Sequence, residues 1–289
     1  MSDPRLLASN GRVAHLSLRG QVAAERFVEG CMMRVCAGVA PLFDAPEGGR
    51  RQRELVLHER FLALDAIADT QADADRVFGR AGRDGYVGYV PRAALAPDPG
   101  TMTHVVAARQ SFLCPEPEVK TSAAMEPVSF GAEFRVRAHY DAGRWAEVVR
   151  LAPEGQDARV AFIPAAHLRA LDRPEPDPVA VALRFLGTPY YWGGNSGFGI
   201  DCSGLVQAAH LACAVPCPGD SDLQGRHLGH PLAPRAQMRR GDLLFWPGHV
   251  ALAVEADVLV HANAHHMAVV QEPVADAIAR IGEPFLRRL

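Results

Sequence analysis

Through residues 26–171 the apolar positions come in short alternating or β-branched runs, such as Tyr86-Val-Gly-Tyr-Val90 and Trp145-Ala-Glu-Val-Val149, broken by Gly, Pro and Asp. This texture predicts short strands closed into small barrels rather than helices. Beyond residue 178 the period changes. Residues 179–186 read as a short amphipathic helix and 202–215 as a longer, mostly apolar one. Leu243-Leu-Phe-Trp246, His249-Val-Ala-Leu-Ala-Val254 and Val258-Leu-Val-His261 then follow closely enough to pair as an antiparallel sheet.

The β-rich part repeats itself. Ala40-Pro-Leu-Phe-Asp-Ala-Pro46 is similar to Gln110-Ser-Phe-Leu-Cys-Pro115, and Gly88-Tyr-Val-Pro-Arg-Ala-Ala-Leu95 to Ala161-Phe-Ile-Pro-Ala-Ala-His-Leu168. Phe61 and Phe134, Pro91 and Pro164, and Leu95 and Leu168 are separated by one common offset, which points to an internal duplication. The expected organisation is an amino-terminal extension (1–25), two β-barrels (26–98 and 99–171), a linker (172–178) and an α+β domain (179–289). The linker, Asp172-Arg-Pro-Glu-Pro-Asp-Pro178, has three alternating prolines that exclude helix.

Composition narrows the function classes. The 289 residues are 48% hydrophobic and 22% charged with a formal charge of -3, and Lys and Arg are scattered among carboxylates. No basic stripe marks a nucleic-acid partner. Residues 1–21 hold Asp3, Arg5, Arg12, His15 and Arg19 without the apolar run of a signal peptide. No segment reaches the roughly 18 apolar residues of a membrane span. The expectation is a cytoplasmic protein with no membrane partner, and its six cysteines lack disulfide-framework spacing.

Chemistry concentrates near Cys202. Five glycines and a proline between Gly187 and Asp201 form a tight loop feeding the helix that starts at Cys202. A thiol there meets unpaired N–H groups and the positive end of the helix dipole, which favour thiolate. The N–H groups of Cys202 and Ser203 are candidate oxyanion donors. His249 and His261 stand on successive strands, and a hairpin centred on Glu255 places them directly opposite each other on one sheet face. That arrangement predicts Cys202 as nucleophile, His249 as base and His261 as its orienter. The alternative is zinc held by Cys202, His249 and His261 with His265 or His266, but no CxxC or HExxH spacing accompanies them, so no metal or other cofactor is expected. Cys213 and Cys217 read as structural thiols.

Gly187-Thr-Pro-Tyr-Tyr-Trp-Gly-Gly194, Asp201-Cys-Ser-Gly-Leu-Val-Gln207, Arg240-Gly-Asp-Leu-Leu-Phe-Trp246, Gly248-His-Val250 and His261-Ala262 resemble the motifs of NlpC-type cell-wall cysteine peptidases, in the order of that family. The duplicated β segments resemble, more weakly, the bacterial Src-homology-3-like domains that precede such catalytic domains. The resemblance implies a papain-like α+β fold, with helix-borne Cys202 packed on a sheet carrying His249 and His261. It implies that Tyr190 and Ser203 order the site or bind the carbonyl, and that Asp201 and Ser203 lie around the substrate; the alternative for Asp201 is a pure helix-cap or first-turn role. Tyr86 or Tyr89 with Glu54 would contribute from the first barrel. The implied activity is that of a γ-D-glutamyl-L-diamino acid endopeptidase, similar to dipeptidyl-peptidase VI. Its partner would be a muropeptide with a free L-alanine amine, consumed in murein peptide recycling. Two other classes compete: a peptidoglycan-binding module with a silent catalytic domain, and a thiol acyltransferase or amidase on the same architecture.

Overall fold

The structure is a computed structural model describing residues 3–65, 75–120, 123–153, 155–233 and 236–289. The chain divides into two compact units, Met1–Leu171 and Asp172–Leu289.

In the first unit the alternating runs of the first repeat become a seven-stranded antiparallel sheet among the described residues. Its order is Arg51–Val56, Val39–Phe43, Val87–Pro91, Arg76–Ala81, Arg60–Ala63, Cys31–Val35 and Leu95–Pro97. One face of each strand turns inward around Val35, Leu42, Phe61, Val77 and Val90, all at most 1% exposed. The second repeat places His104–Val106 between Glu133–Phe134 and Leu168–Ala170, pairs Gln110–Leu113 with Glu126–Ser129, and runs Val136–Tyr140, Trp145–Arg150 and Arg159–Pro164 as a meander. Its core gathers Val106, Val128, Phe134, Val148 and Ile163.

The common offset has structural counterparts. Phe61 and Phe134 are each fully buried in their own core. Pro91 and Pro164 each precede a single 3-10 turn, Arg92–Ala94 and Ala165–His167, that leads into the closing strands at Leu95 and Leu168. The extension is part of this unit: Ala8 and Val13 pack with Leu64 and Phe78. Arg26–Val28 pairs parallel with Val13–His15, so the barrel sheet itself begins at Cys31.

Two buried polar residues tie the repeats together. Arg34 donates to Asp98 Oδ1 (2.7 Å), to Glu133 Oε2 (2.8 Å) and to the His58 carbonyl (2.6 Å). His58 Nδ1 meets the Glu133 carbonyl at 2.7 Å and its Nε2 accepts from Leu151 N–H at 3.2 Å, which fixes a neutral ring. Burial, the largest influence, lowers its pKa to about 3.

In the second unit Pro178 opens α1 (Pro178–Leu183), with Asp177 accepting from Val179 N–H at 2.9 Å. The helix is shorter than its apolar pattern because the N–H groups of Arg184, Phe185 and Leu186 turn to carbonyls three residues back, and Gly187 N–H then pairs with the Val269 carbonyl. Helix α2 (Cys202–Ala212) also stops short of residue 215: Ala214 turns left-handed (φ 58°), and Pro216 bars its predecessor from helix. A short α3 (Ser221–His227) follows, and α4 (Val274–Ile281) comes near the carboxy end.

The sheet of this unit has six antiparallel strands among the described residues, in the order His230–Pro231, Phe285–Arg288, Leu243–Trp246, His249–Ala253, Val258–Asn263 and Ala268–Pro273. Helix α2 lies against the third- and second-last of these, the His249 and His261 strands. Among the described residues no helix is long and apolar enough to cross a membrane.

Each repeat thus depends on its own buried phenylalanine. Phe61→Ala and Phe134→Ala should each cost about 3–5 kcal/mol through the cavity they leave. Chemical denaturation with near-ultraviolet and far-ultraviolet readouts checks this; a loss below about 1 kcal/mol at either position would place that ring outside the core.

Candidate active site

Cys202 is the first residue of α2 and 7% exposed. Its position is set by Asp201, the helix cap, whose Oδ1 accepts from Gly204 N–H (2.7 Å) and Ser203 Oγ–H (3.0 Å), and whose Oδ2 accepts from Gly193 N–H (2.8 Å). One carboxylate therefore joins the glycine loop to the first turn of the helix. Gly204 has to lack a side chain: a Cβ there would lie 2.5 Å from the Gly194 carbonyl oxygen. Behind the turn, Gln224 is fully buried and donates to the Ser203 and Pro218 carbonyls, each at 2.9 Å.

Asp201 and Ser203 are thus 8% and 5% exposed, and they bond to each other within the fold. Of the first helical N–H groups, that of Gly204 goes to Asp201 Oδ1 and that of Leu205 to the Asp201 carbonyl. Those of Cys202 and Ser203 face the sulfur, and they are joined there by the N–H of Val250. Val250 was not among the sequence-predicted residues; it enters because the strand begins beside the helix terminus.

His249 and His261 do come together, with Nε2 of the first 2.8 Å from Nδ1 of the second. The register differs from the expected one. Leu252 pairs with Val260 and Ala253 with Leu259, which centres the hairpin on Ala256 rather than Glu255. The two rings meet as diagonal neighbours, not direct partners. A shift of this kind preserves the face, because side chains alternate with period two.

Behind His261, which is fully buried, stand residues that the sequence pattern did not single out. Glu272 Oε1 lies 3.0 Å from His261 Nε2, and Arg280 of α4 holds both Glu272 oxygens at 2.5 and 3.1 Å. Asn263 Nδ2 lies 2.8 Å from the same His261 nitrogen. The available signal was a lone Glu in the Ala268–Pro273 strand, two residues beyond Val270, the direct partner of His261. Donor atoms of His261, His266 and Glu272 lie within 4.8 Å of one another, a different trio from the cysteine-containing set considered for zinc. There the Arg280 guanidinium sets a positive charge against any cation.

Electrostatics reverse one expectation. Burial, followed by the Asp201 charge, pushes the Cys202 thiol up to about 12, against the opposing N–H groups of Val250, Ser203 and Cys202. The helix terminus is outweighed, and the resting sulfur is a thiol. Burial lowers His249 to about 4 and His261 to about 3, in the latter case assisted by the His249 charge. Tyr190, half-buried on the loop, is pushed up to about 12 by burial and by its neighbours Cys202 and Asp201, so its hydroxyl remains a donor.

Tyr86, Tyr89 and Glu54 belong to the other unit. Tyr86 is buried under the Arg53 guanidinium, 5.5 Å from the ring centre. Tyr89 takes a 3.1 Å hydrogen bond from Asn10 Nδ2, and Glu54 lies 3.9 Å from Arg51. Tyr86 and Tyr89 line a common cleft with Phe78, Asn10 and Gln52, which Glu54 does not line.

Residues 187–279 match the NlpC/P60 family, and residues 42–95 match the bacterial dipeptidyl-peptidase SH3 domain. Residues 187–279 are a domain of the NlpC/P60 type. Dipeptidyl-peptidase 6 of Lysinibacillus sphaericus is 44% identical over 87 residues, which are 29% of this chain and 31% of that protein. A γ-D-glutamyl-L-lysine dipeptidyl-peptidase of Bacillus cereus is 31% identical over 124 residues, covering 39% of this chain and 37% of its own. The aligned part thus spans about a third of the length of these curated relatives. The crystal structure of an NlpC/P60 family protein from Bacillus cereus has the same fold, with a TM-score of 0.72, 20% identity and coverage of 89% of this chain and 99% of that one. The helix-borne cysteine packed on an antiparallel sheet is the papain-like arrangement of the NlpC/P60 fold, and the amino-terminal unit is SH3-like and β-rich.

His249 and His261 are neutral in the folded chain and titrate near pH 6.5 when unfolded. Their contribution to stability is complete above about pH 6.5 and lost as pH falls toward about 4 and 3. Melting temperature should therefore decline over that interval, and His261→Gln should flatten the decline. An unchanged slope in His261→Gln would contradict a buried neutral ring.

Proposed function

We propose that the chain is a cysteine peptidase that hydrolyses the γ-D-glutamyl bond to a diamino acid, diaminopimelate or lysine, in short cell-wall peptides. The observation that carries this is the placement of Cys202 at a capped helix start, on a helix packed against the strand of His249, whose ring meets that of His261 at 2.8 Å. The names of the relatives support the γ-linked substrate, and the SH3 match supports the dipeptidyl-peptidase type. A dipeptidyl-peptidase acts at a free amino end, so the proposed substrate begins with L-alanine bearing its free amine. This fits recycling of released peptides in the cytoplasm. Asp201 and Ser203 are the proposed contacts to that end.

Nε2 of His249 is occupied by His261, which leaves Nδ1 for the thiol. The Cys202 proton passes to Nδ1 as sulfur attacks the γ-carbonyl carbon of D-glutamate. The oxygen acquires negative charge and is held by the N–H groups of Cys202 and Ser203 and the Tyr190 hydroxyl. Collapse breaks the C–N bond, and the imidazolium returns its proton to the departing amine. Water, deprotonated by His249, then hydrolyses the thioester and restores the thiol.

The purified chain should convert L-Ala-γ-D-Glu-diaminopimelate to L-Ala-D-Glu and free diaminopimelate. Cys202→Ala and His249→Ala should each reduce kcat/KM by at least about 10³-fold. Unchanged cleavage by Cys202→Ala overturns the proposal. Because His249 must be neutral to accept the proton, kcat/KM should fall on the acid side near pH 4 rather than near 6.5.

A further inference from the structure

His261 Nε2 has two neighbours that make opposite demands on it. Glu272 Oε1, at 3.0 Å, can only accept a proton while ionised. Asn263 is oriented by its Oδ1, which accepts the His266 N–H at 2.8 Å, so the group that it turns to His261, at 2.8 Å, is its Nδ2 donor. An acceptor requires Nε2–H on His261, and a donor requires a bare Nε2.

The choice is transmitted to the base. With Nε2–H directed at Glu272, Nδ1 of His261 is a lone pair, and Nε2 of His249 must carry the hydrogen between the rings. His249 Nδ1 is then bare and can take the thiol proton. In the opposite setting His261 donates from Nδ1, His249 Nε2 accepts, and the hydrogen on His249 moves to Nδ1. That ring is still neutral but is no base toward Cys202.

We propose that Glu272, clamped by Arg280, is a positioning residue that sets the tautomer of His261 and through it that of His249. A charged acceptor outcompetes the neutral amide of Asn263, since charge-assisted hydrogen bonds are roughly twice as strong as neutral ones. Arg280 from α4 grips both carboxylate oxygens and keeps the proton on the imidazole. Glu272 is 7% exposed, so water competes little for it. The relay runs Cys202, His249, His261, Glu272 and Arg280, and its last two members lie outside the matched cysteine and histidine motifs. Its catalytic consequence rests on the peptidase activity proposed above; its tautomeric consequence does not.

Two measurements separate these. ¹⁵N-histidine spectra of the intact chain at pH 7 should show both His249 and His261 protonated at Nε2. In Glu272→Gln the Arg280 donors hold the amide oxygen and turn its NH₂ toward His261, so both rings should switch to Nδ1–H. Cleavage of L-Ala-γ-D-Glu-diaminopimelate should then lose about 100-fold in kcat, with KM changed less than about twofold. This is smaller than the about 10⁴-fold lost when such a carboxylate bonds the base itself, because a further ring intervenes. Asn263→Asp added to Glu272→Gln returns an ionised acceptor to Nε2. It should restore Nε2–H on both rings and at least about tenfold of the rate. A merely structural role for Glu272 predicts no such rescue.

Nδ1–H on either ring of the native chain overturns the proposal, whether or not any variant folds. So does a folded Glu272→Gln that keeps native tautomers and kcat, or a folded double variant that regains neither. A native chain with both rings protonated at Nε2 but no cleavage would defeat the substrate assignment and leave the role of Glu272 in place.

Discussion

The site depends on one carboxylate. Asp201 caps α2, bonds the hydroxyl of Ser203 and receives the N–H of Gly193, so loop and helix cannot shift independently. The sulfur of Cys202 inherits that position, together with the two helix N–H groups that face it. Gly193 with its positive φ (67°) and Gly204 beneath the Gly194 carbonyl are the steric conditions for so close an approach. A cap of this kind contributes about 1 kcal/mol to an ordinary helix; here it also sets where the reacting atom sits.

Burial then decides the protonation states. The same packing that orders Cys202, His249 and His261 removes the water that would stabilise their charged forms, and it leaves thiol and neutral imidazoles at rest. The ionised groups in the chain behind them are Glu272 and Arg280, which neutralise each other at short range. Burial raises the pKa of Glu272, but the Arg280 hydrogen bonds and the neighbouring histidine bring it below the usual carboxylate range. On the proposed mechanism, proton transfer starts from a neutral thiol and a neutral imidazole backed by the Glu272–Arg280 pair.

The amino-terminal unit solves a different problem with related means. The two β repeats have limited cores of their own, and between them lie buried Arg34 and the neutral ring of His58. Neither residue stood out in the sequence. The duplication did, because Phe61 and Phe134, and the prolines that start the closing 3-10 turns, occupy equivalent places in two copies of one pattern.

Local pattern alone read the change of texture near residue 171, the helix beginning at Cys202 and the shared face of His249 and His261, since each follows from periodicity or from a neighbour within a few residues. The face survived an error in register because parity along a strand is a local property. The register itself is not, and the turn around Ala256 decided it. Glu272 and Arg280 lie on a later strand and on α4, and the approach of Val250 N–H to the sulfur joins residues far apart in the chain. Only tertiary packing brings these together. Protonation was likewise beyond local reading: the helix terminus acts on Cys202 through its nearest amides, whereas the desolvation that outweighs it comes from every element packed around the thiol.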